Sequence, residues 1–216
     1  MSDRPDNRQY APATERNREP ILNVLREVLP PTGTVLEISS GTGEHAAYFA
    51  PRLSPRRWIP SDPNSLARAS IAAWQQEVTA NNLYPPIALD ASEGRWVVEM
   101  PEALEDFDWG NYPIRAIVNI NMIHIAPWSA CLGLMAGAGR ILSAGGILYL
   151  YGPFKQNGQH TAPSNAAFDE SLQARNPEWG VRDLEAVVAA AQVENLSLKK
   201  IYPMPANNLS VVFQAE

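Results

Sequence analysis

The sequence predicts an α/β fold: a doubly wound sheet of seven strands, mostly parallel, closed by an antiparallel hairpin at the carboxyl-terminal end, with helices on both faces. Three observations predict it. Short apolar runs alternate with segments of helical periodicity, the first run empties into a loop of small residues, and the last two runs are joined by residues 203–208 alone. Alternating strands and helices imply parallel strands covered on both sides. A link that short has no room for a crossover helix, so the last strand must run antiparallel to its neighbour.

Along the chain, a polar arm precedes a helix that Asn17 can cap, with Pro20 in its first turn and Ile21, Leu22, Leu25, Val28 and Leu29 on one apolar face. Pro30 and Pro31 stop it. Thr34-Val35-Leu36-Glu37-Ile38 reads as a buried strand entering a loop, and the helix after it carries Ala46, Ala47, Phe49 and Ala50. Arg57-Trp58-Ile59 is the second strand, 65–79 a helix, and Pro86-Ile87-Ala88-Leu89 the third strand. An acidic, aromatic connection through Asp108 and Trp109 leads to the clearest strand, 114–120. A helix near 131–142, a fifth strand at 146–151, a polar loop over 155–164 and a helix over 183–192 follow. The hairpin strands are 198–202 and 209–213, with Asn207 and Asn208 as turn residues.

A chain of 216 residues suits one domain over 1–216, with residues 1–16 as an arm able to fold over a site as a lid. The net charge of −6 and the lack of a Lys/Arg cluster argue against nucleic acid as a partner. The polar amino terminus lacks the apolar stretch of a secretory signal and no run is long enough to span a bilayer, so no membrane partner and a cytoplasmic location are expected. The single Cys131 has no second cysteine for a disulfide or a metal knuckle; it is read as a small buried apolar residue, and no metal is expected.

The chemistry gathers at Glu37-Ile38-Ser39-Ser40-Gly41-Thr42-Gly43. Gly41 and Gly43 let backbone approach a nucleotide-like ligand closely at a strand-to-helix turn. Taken alone they fit two cofactor classes, because the same glycines satisfy a looser dinucleotide pattern. Glu37 discriminates between them. A carboxylate inside a buried strand is costly unless paired; the ammonium and sulfonium of S-adenosylmethionine would pair it, whereas a diphosphate would be repelled. The alternative is that Glu37 accepts backbone N–H groups within the loop. Asp62 follows the second strand, where a carboxylate accepts both ribose hydroxyls; alternatively it caps the helix near Asn64. Asp90, closing the third strand, is placed to accept from an adenine amino group or to form a turn.

These residues resemble class I S-adenosylmethionine-dependent methyltransferases, whose Rossmann-like sheet ends in the same kind of antiparallel hairpin. Val35 to Gly43 looks like their first motif, with Ser39 standing where the commonest pattern has its first glycine. More closely, the whole chain is similar to the family catalogued as domain of unknown function 938, whose members include methyltransferase-like protein 26. The likeness is carried by Glu15-Arg16-Asn17-Arg18, the loop through Glu44-His45, Pro60-Ser61-Asp62, Asn121 to Trp128, Tyr151-Gly152-Pro153-Phe154 and Met204 to Asn208. The resemblance implies a methyltransferase fold, with S-adenosylmethionine as cofactor and S-adenosylhomocysteine as product. The expected cofactor set is Glu37, Ser39, Gly41, Gly43, His45, Asp62, Asp90 and Asn119, with Arg16 folding over the site.

Methyl transfer mainly requires an acceptor lone pair held on the sulfonium–methyl axis with water excluded. Groups for this come from loops beyond the carboxyl ends of the strands. His124, soon after the fourth strand, is the candidate base, its alternative being a histidine bonded to backbone in the turn. Asn17 and Asn121 are expected around the acceptor, Tyr151 and Phe154 either wall it or pack under the following loop, and Arg182 either clamps an acidic group on it or forms a surface ion pair. No Asp/Asn-Pro-Pro-aromatic motif follows the fourth strand, which argues against nucleobase and glutamine-amide acceptors. The function expected is methyl transfer to an O or N atom of a small molecule. Its rivals are a non-catalytic cofactor-binding protein and an NAD(P)-dependent oxidoreductase.

Overall fold

The computed structural model describes residues 6–100 and 107–216. The first five residues of the expected arm, and 101–106 of the acidic connection, lie outside the described residues. Helix α1 (Pro12–Val28) precedes β1 (Thr34–Ile38), α2 (Glu44–Arg52), β2 (Arg57–Pro60) and α3 (Ser65–Glu77). Then come β3 (Ile114–Ile120), α4 (Trp128–Ile141) and β4 (Ile147–Gly152). A second, small sheet follows, built from β5 (Phe154–Gln156), β6 (Gln159–His160) and, after α5 (Pro163–Arg175), β7 (Arg182–Asp183). Helix α6 (Leu184–Val193) and the hairpin β8 (Leu196–Met204) and β9 (Asn208–Ala215) complete the chain.

The main sheet has the order β2-β1-β3-β4-β9-β8. Its first four strands are parallel, and β9 runs antiparallel to both β4 and β8, as the short link requires. Among the described residues the sheet has six strands rather than seven. The segment expected as the third strand does lie beside β2, through parallel bridges Trp58–Leu83 and Ser61–Ile87, but no continuous ladder forms. Pro85 and Pro86 fall between the bridges and have no N–H to donate. Because β1 lies between β2 and β3, the chain reverses direction across the sheet there, and a crevice opens beyond the ends of β1 and β3.

Strand periodicity divides the core. Leu36, Ile38, Ile117, Leu148, Leu150 and Phe213 face α4 and α6, while Val35, Trp58, Val118, Tyr149 and Val212 face α1 and α2. Glu37 shares the second face with Val35, which puts its carboxylate against Trp58.

Helix α1 begins at Pro12 rather than near Asn17, and Pro20 lies inside it. Pro12 suits a first turn, where its missing N–H has no partner to lose; Asn17, expected as a cap, is instead buried in the helix interior. The stretch expected as a polar loop holds β5, β6 and the start of α5. Its anchor is Asp169, buried on α5: Oδ2 meets Lys155 Nζ at 2.8 Å and His160 Nε2 at 3.2 Å, and Oδ1 accepts from Val181 N at 2.7 Å. Among the described residues no helix is long and apolar enough to cross a membrane.

Candidate active site

The loop after β1 takes its shape from three left-handed residues. Ser39 has φ 57°, Gly41 56° and Gly43 88°. Gly43 begins α2 against α3, where an added Cβ would lie 2.7 Å from Ile71 Cα; beside Gly41 there is open space. Ser39 therefore keeps the backbone conformation of a glycine while carrying a Cβ.

Two carboxylates flank this loop. Glu37 is fully buried, with Trp58 Nε1 donating to its Oε2 at 2.8 Å. Burial pushes the Glu37 carboxyl up to about 7, against the opposing bonds from Trp58 and Ser40 and with the help of the Asp62 charge. Asp62 accepts from Gly41 N through Oδ2 (3.0 Å) and from Asn64 N through Oδ1 (2.9 Å). Asn64, not Asp62, caps α3, accepting from Leu66 N and Ala67 N. Asp62 thus ties the ends of β1 and β2 together and keeps lone pairs for a ligand.

Three adjoining cavities run along the crevice. The middle one, about 430 Å³, is lined by Glu37, Ser39, Gly41, His45 and Asp62. On one side it meets a cavity of about 370 Å³, with Ser39, Pro63 and Met122 lining both; Asp90 lies in the latter, its Oδ1 accepting from Ser92 N and Oγ. On the other side it meets a cavity of about 630 Å³, the two sharing Ala13, Asn121 and Ile125. The arm crosses the middle cavity. Ser70 Oγ accepts from Gln9 N (2.7 Å), Trp74 Nε1 donates to Gln9 O (3.0 Å), and Glu44 Oε2 accepts from Ala11 N (2.6 Å) and Thr42 Oγ1 (2.9 Å). One carboxylate so joins the arm to the glycine loop.

The largest cavity carries Asn17, Asn121, His124 and Tyr151, together with Arg16. His45 Nε2 lies 2.8 Å from Asn17 Oδ1, so a residue of the middle cavity supports one of the outer cavity. Burial pushes His45 down to about 4, with the Arg18 charge adding to the shift. His124 is buried against the edge of Phe168, ring centroids 5.6 Å apart, and its Nδ1 has no partner among the described residues. Burial, and after it the Arg182 charge, holds His124 down at about 4, so its ring is neutral at pH 7. Burial pushes the Tyr151 hydroxyl up, opposed by Asn17 beside it.

Three expected site residues are placed elsewhere. Asn119 donates from Nδ2 to Ile38 O (3.0 Å), latching β3 to β1 beneath the crevice. Of the two readings of Phe154 the packed one holds: it is buried in the core and does not line the outer cavity. Arg182 donates to Ile123 O (2.9 Å), Ala126 O (2.6 Å) and Glu178 O, bracing the loop that carries His124 and lining none of the three cavities. Arg16, expected on the cofactor, lines only the outer cavity among the three. Sequence reasoning missed Asn165, Phe168 and Arg175 of α5, and it gave Asn207 and Asn208 a turn role only; all five line the outer cavity. A signal existed: Ser164, Phe168, Leu172 and Arg175 recur at helical spacing on one face. Asn207, with φ 59°, does form the turn, beside Ala206 at 57°.

A strand order with its reversal at β1, a glycine loop after β1 and a terminal antiparallel pair define the class I methyltransferase fold, and solved structures agree. The chain is similar to an O-methyltransferase family 2 protein from Planctomyces limnophilus DSM 3776 in complex with apigenin, at 18% identity and TM-score 0.69 over 94% of this chain and 60% of that one. It is similar to an O-methyltransferase family protein from Burkholderia thailandensis, at 15% identity and TM-score 0.69 over 94% and 57%. SAH-bound CalO1, a methyltransferase in calicheamicin biosynthesis, matches at 12% identity and TM-score 0.68 over 94% and 55%. The chain thus spans a little over half the length of these proteins. The model of the family described as protein of unknown function DUF938 matches residues 8–215, and the chain belongs to that family.

Proposed function

We propose that the protein transfers the methyl group of S-adenosylmethionine to an oxygen or nitrogen of a small-molecule acceptor. The observation that carries this reading is Glu37, a buried carboxylate in the middle cavity whose side-chain partners, Trp58 and Ser40, are neutral. A cation suits it. A dinucleotide diphosphate does not, and Asp62 beside it strengthens both statements. Glu37 takes the ligand ammonium, Asp62 the ribose hydroxyls and Asp90 the adenine amino group. The backbone at Ser39 and Gly41 allows close approach, and His45 steadies Asn17 between donor and acceptor.

Bound there, S-adenosylmethionine would supply a methyl carbon to the acceptor lone pair, its carbon–sulfur pair leaving on sulfur as S-adenosylhomocysteine. Asn121 and Tyr151 orient the acceptor, and α1 with the hairpin tip excludes water. For a hydroxyl acceptor, His124 receives the proton. A ring held near 4 is a weak base toward a free hydroxyl, but an oxygen already bonding to methyl is strongly acidic, so a late transfer to neutral His124 is downhill. A cytoplasmic location belongs to the same proposal, supported by the single, buried Cys131.

Calorimetry with S-adenosylhomocysteine, in buffers of different ionisation enthalpy, tests the donor half. At pH 6 Glu37 is mostly protonated, so pairing with the ammonium should release about one proton; at pH 8 it is already ionised and release should approach zero. Glu37→Gln should abolish the difference. Binding of NADH with none of S-adenosylhomocysteine would overturn the reading. Labelled methyl transfer into small-molecule extracts then separates an enzyme from a cofactor-binding protein.

A further inference from the structure

We infer that the acceptor is a small anion, a carboxylate or phosphate ester on an apolar body, and that Arg16 and Arg175 hold its charge at the mouth of the outer cavity; this rests on the methyl-transfer reading. Among the described residues the cavity of about 630 Å³ has both guanidiniums in its wall and no aspartate or glutamate. Neither arginine forms an ion pair among the described residues, in a chain whose net charge is −6. Several guanidiniums elsewhere are engaged: Arg8 and Arg140 pair with carboxylates, Arg56 and Arg68 donate to carbonyls, and Arg57 lies over the Tyr112 ring; what sets Arg16 and Arg175 apart is that both line one cavity. Arg175 donates only through Nε, to Ser171 O at 3.2 Å, which steadies the side chain and leaves its terminal nitrogens free. Two unpaired cations at the entrance of a cleft raise the local concentration of anions and bind them bidentately.

The rest of the wall gives the size of the ligand. Tyr151, Phe168, Leu172 and Ile125 supply an apolar body, and His124 sits among them with Nδ1 unpartnered. Phe168, which touches His124, and Arg175 are seven residues apart on α5, roughly 10 Å along the axis. An acceptor about one substituted ring long spans that distance, with its reacting atom by His124 and its anion by Arg175.

The test uses the full chain saturated with S-adenosylhomocysteine and three probes: 4-hydroxybenzoate, phenyl phosphate and the neutral 4-hydroxybenzyl alcohol. At least one anion should bind about tenfold more tightly than the alcohol, with the margin shrinking as salt rises from about 20 to 300 mM. Arg175→Gln should remove most of that margin, Arg175→Lys should keep part of it, and the affinities for the alcohol and for S-adenosylhomocysteine should not move. Equal binding of all three probes, binding of none, or an undiminished margin in the Arg16→Gln/Arg175→Gln double variant overturns the inference. Failure of the wild-type chain to bind S-adenosylhomocysteine at all sinks the methyltransferase reading instead.

Discussion

In the part of the crevice proposed to hold the methyl donor, the donor half, the buried polar groups already have protein partners. Glu37 meets Trp58, Asp62 meets Gly41 and Asn64, and His45 meets Asn17. In the proposed acceptor half, His124 Nδ1 is buried without one, and two arginines line the cavity with no carboxylate in its wall among the described residues. Both halves rest on the same strand ends, so the contrast does not come from the scaffold. A pre-bonded site binds one ligand geometry at little reorganisation cost, whereas an unpaired site takes its partners from the ligand. On the proposed function, the donor half would then fix one ligand geometry, and the acceptor half would take its specificity from the ligand's own groups.

Replacing His124 should break that contrast most sharply. His124→Ala is expected to lower kcat by about 10²–10⁴-fold while the Kd for S-adenosylhomocysteine stays within about twofold, because the ring lines the outer cavity and not the middle one. Single-turnover assays with labelled donor, beside calorimetry, check both numbers. Loss of donor affinity instead would show that His124 supports the loop from β3 rather than the reaction.

The glycine loop should respond position by position. Gly43→Ala meets both a left-handed φ and the Ile71 backbone, and should cost about 3 kcal/mol of stability together with donor affinity. Gly41→Ala meets only the conformational penalty and should cost about 1 kcal/mol. Urea midpoints of the two variants provide the comparison.

Stability should depend on pH in opposite senses for the two kinds of buried group. His45 and His124 titrate lower in the folded state, so the unfolded chain binds more protons between about 4 and 6.5. Their contribution is full above 6.5 and is lost as pH falls toward 4. Glu37 titrates higher when folded; its contribution is full below 4.5 and is lost as pH rises through about 7. Glu37→Gln should thus gain stability relative to wild type between pH 5 and 8, measured as the change in Tm difference. A constant difference would mean that Glu37 ionises freely in the fold.

Asp169→Ala bears on the acceptor half alone. It removes the anchor of α5, leaves Lys155 unpaired in a partly open position, and should cost about 2 kcal/mol while weakening the anion margin and sparing donor binding. Equal damage to donor binding would join the two halves mechanically.

The same contrast governs what could be read from sequence. β1 and β3 were legible to the residue because parallel central strands are continuous apolar runs, and Glu37, Asp62 and the glycines stand at fixed offsets from such a run. Helix α5 was only partly legible: the spacing of Ser164, Phe168, Leu172 and Arg175 marks one face, but its buried face carries Asn165 and Asp169 with only Leu172, so burial there follows hydrogen bonds rather than apolar periodicity. The arginines exchanged roles for a related reason. Whether Arg182 reaches a ligand or the carbonyls of the next loop depends on tertiary contacts 56 and 59 residues away in sequence, which no local pattern encodes. The missing seventh strand was foreseeable from Pro85-Pro86, since a proline pair cannot supply a ladder.

Ser39 offers the mildest change and the finest probe of the donor half. Its φ of 57° is a conformation in which a residue with a Cβ costs about 1 kcal/mol more than glycine, yet the loop keeps it. Ser39 lines both the middle cavity and the one holding Asp90, so on the proposed function it would stand where the donor passes from ribose to adenine. Ser39→Gly relieves the backbone but also frees the unfolded chain, so the net gain in stability should be under about 1 kcal/mol. Donor affinity then decides what the serine is for. If affinity is unchanged, Ser39 only tolerates the turn; if it falls although the fold is more stable, the hydroxyl bonds the ligand, and the strain is kept for binding.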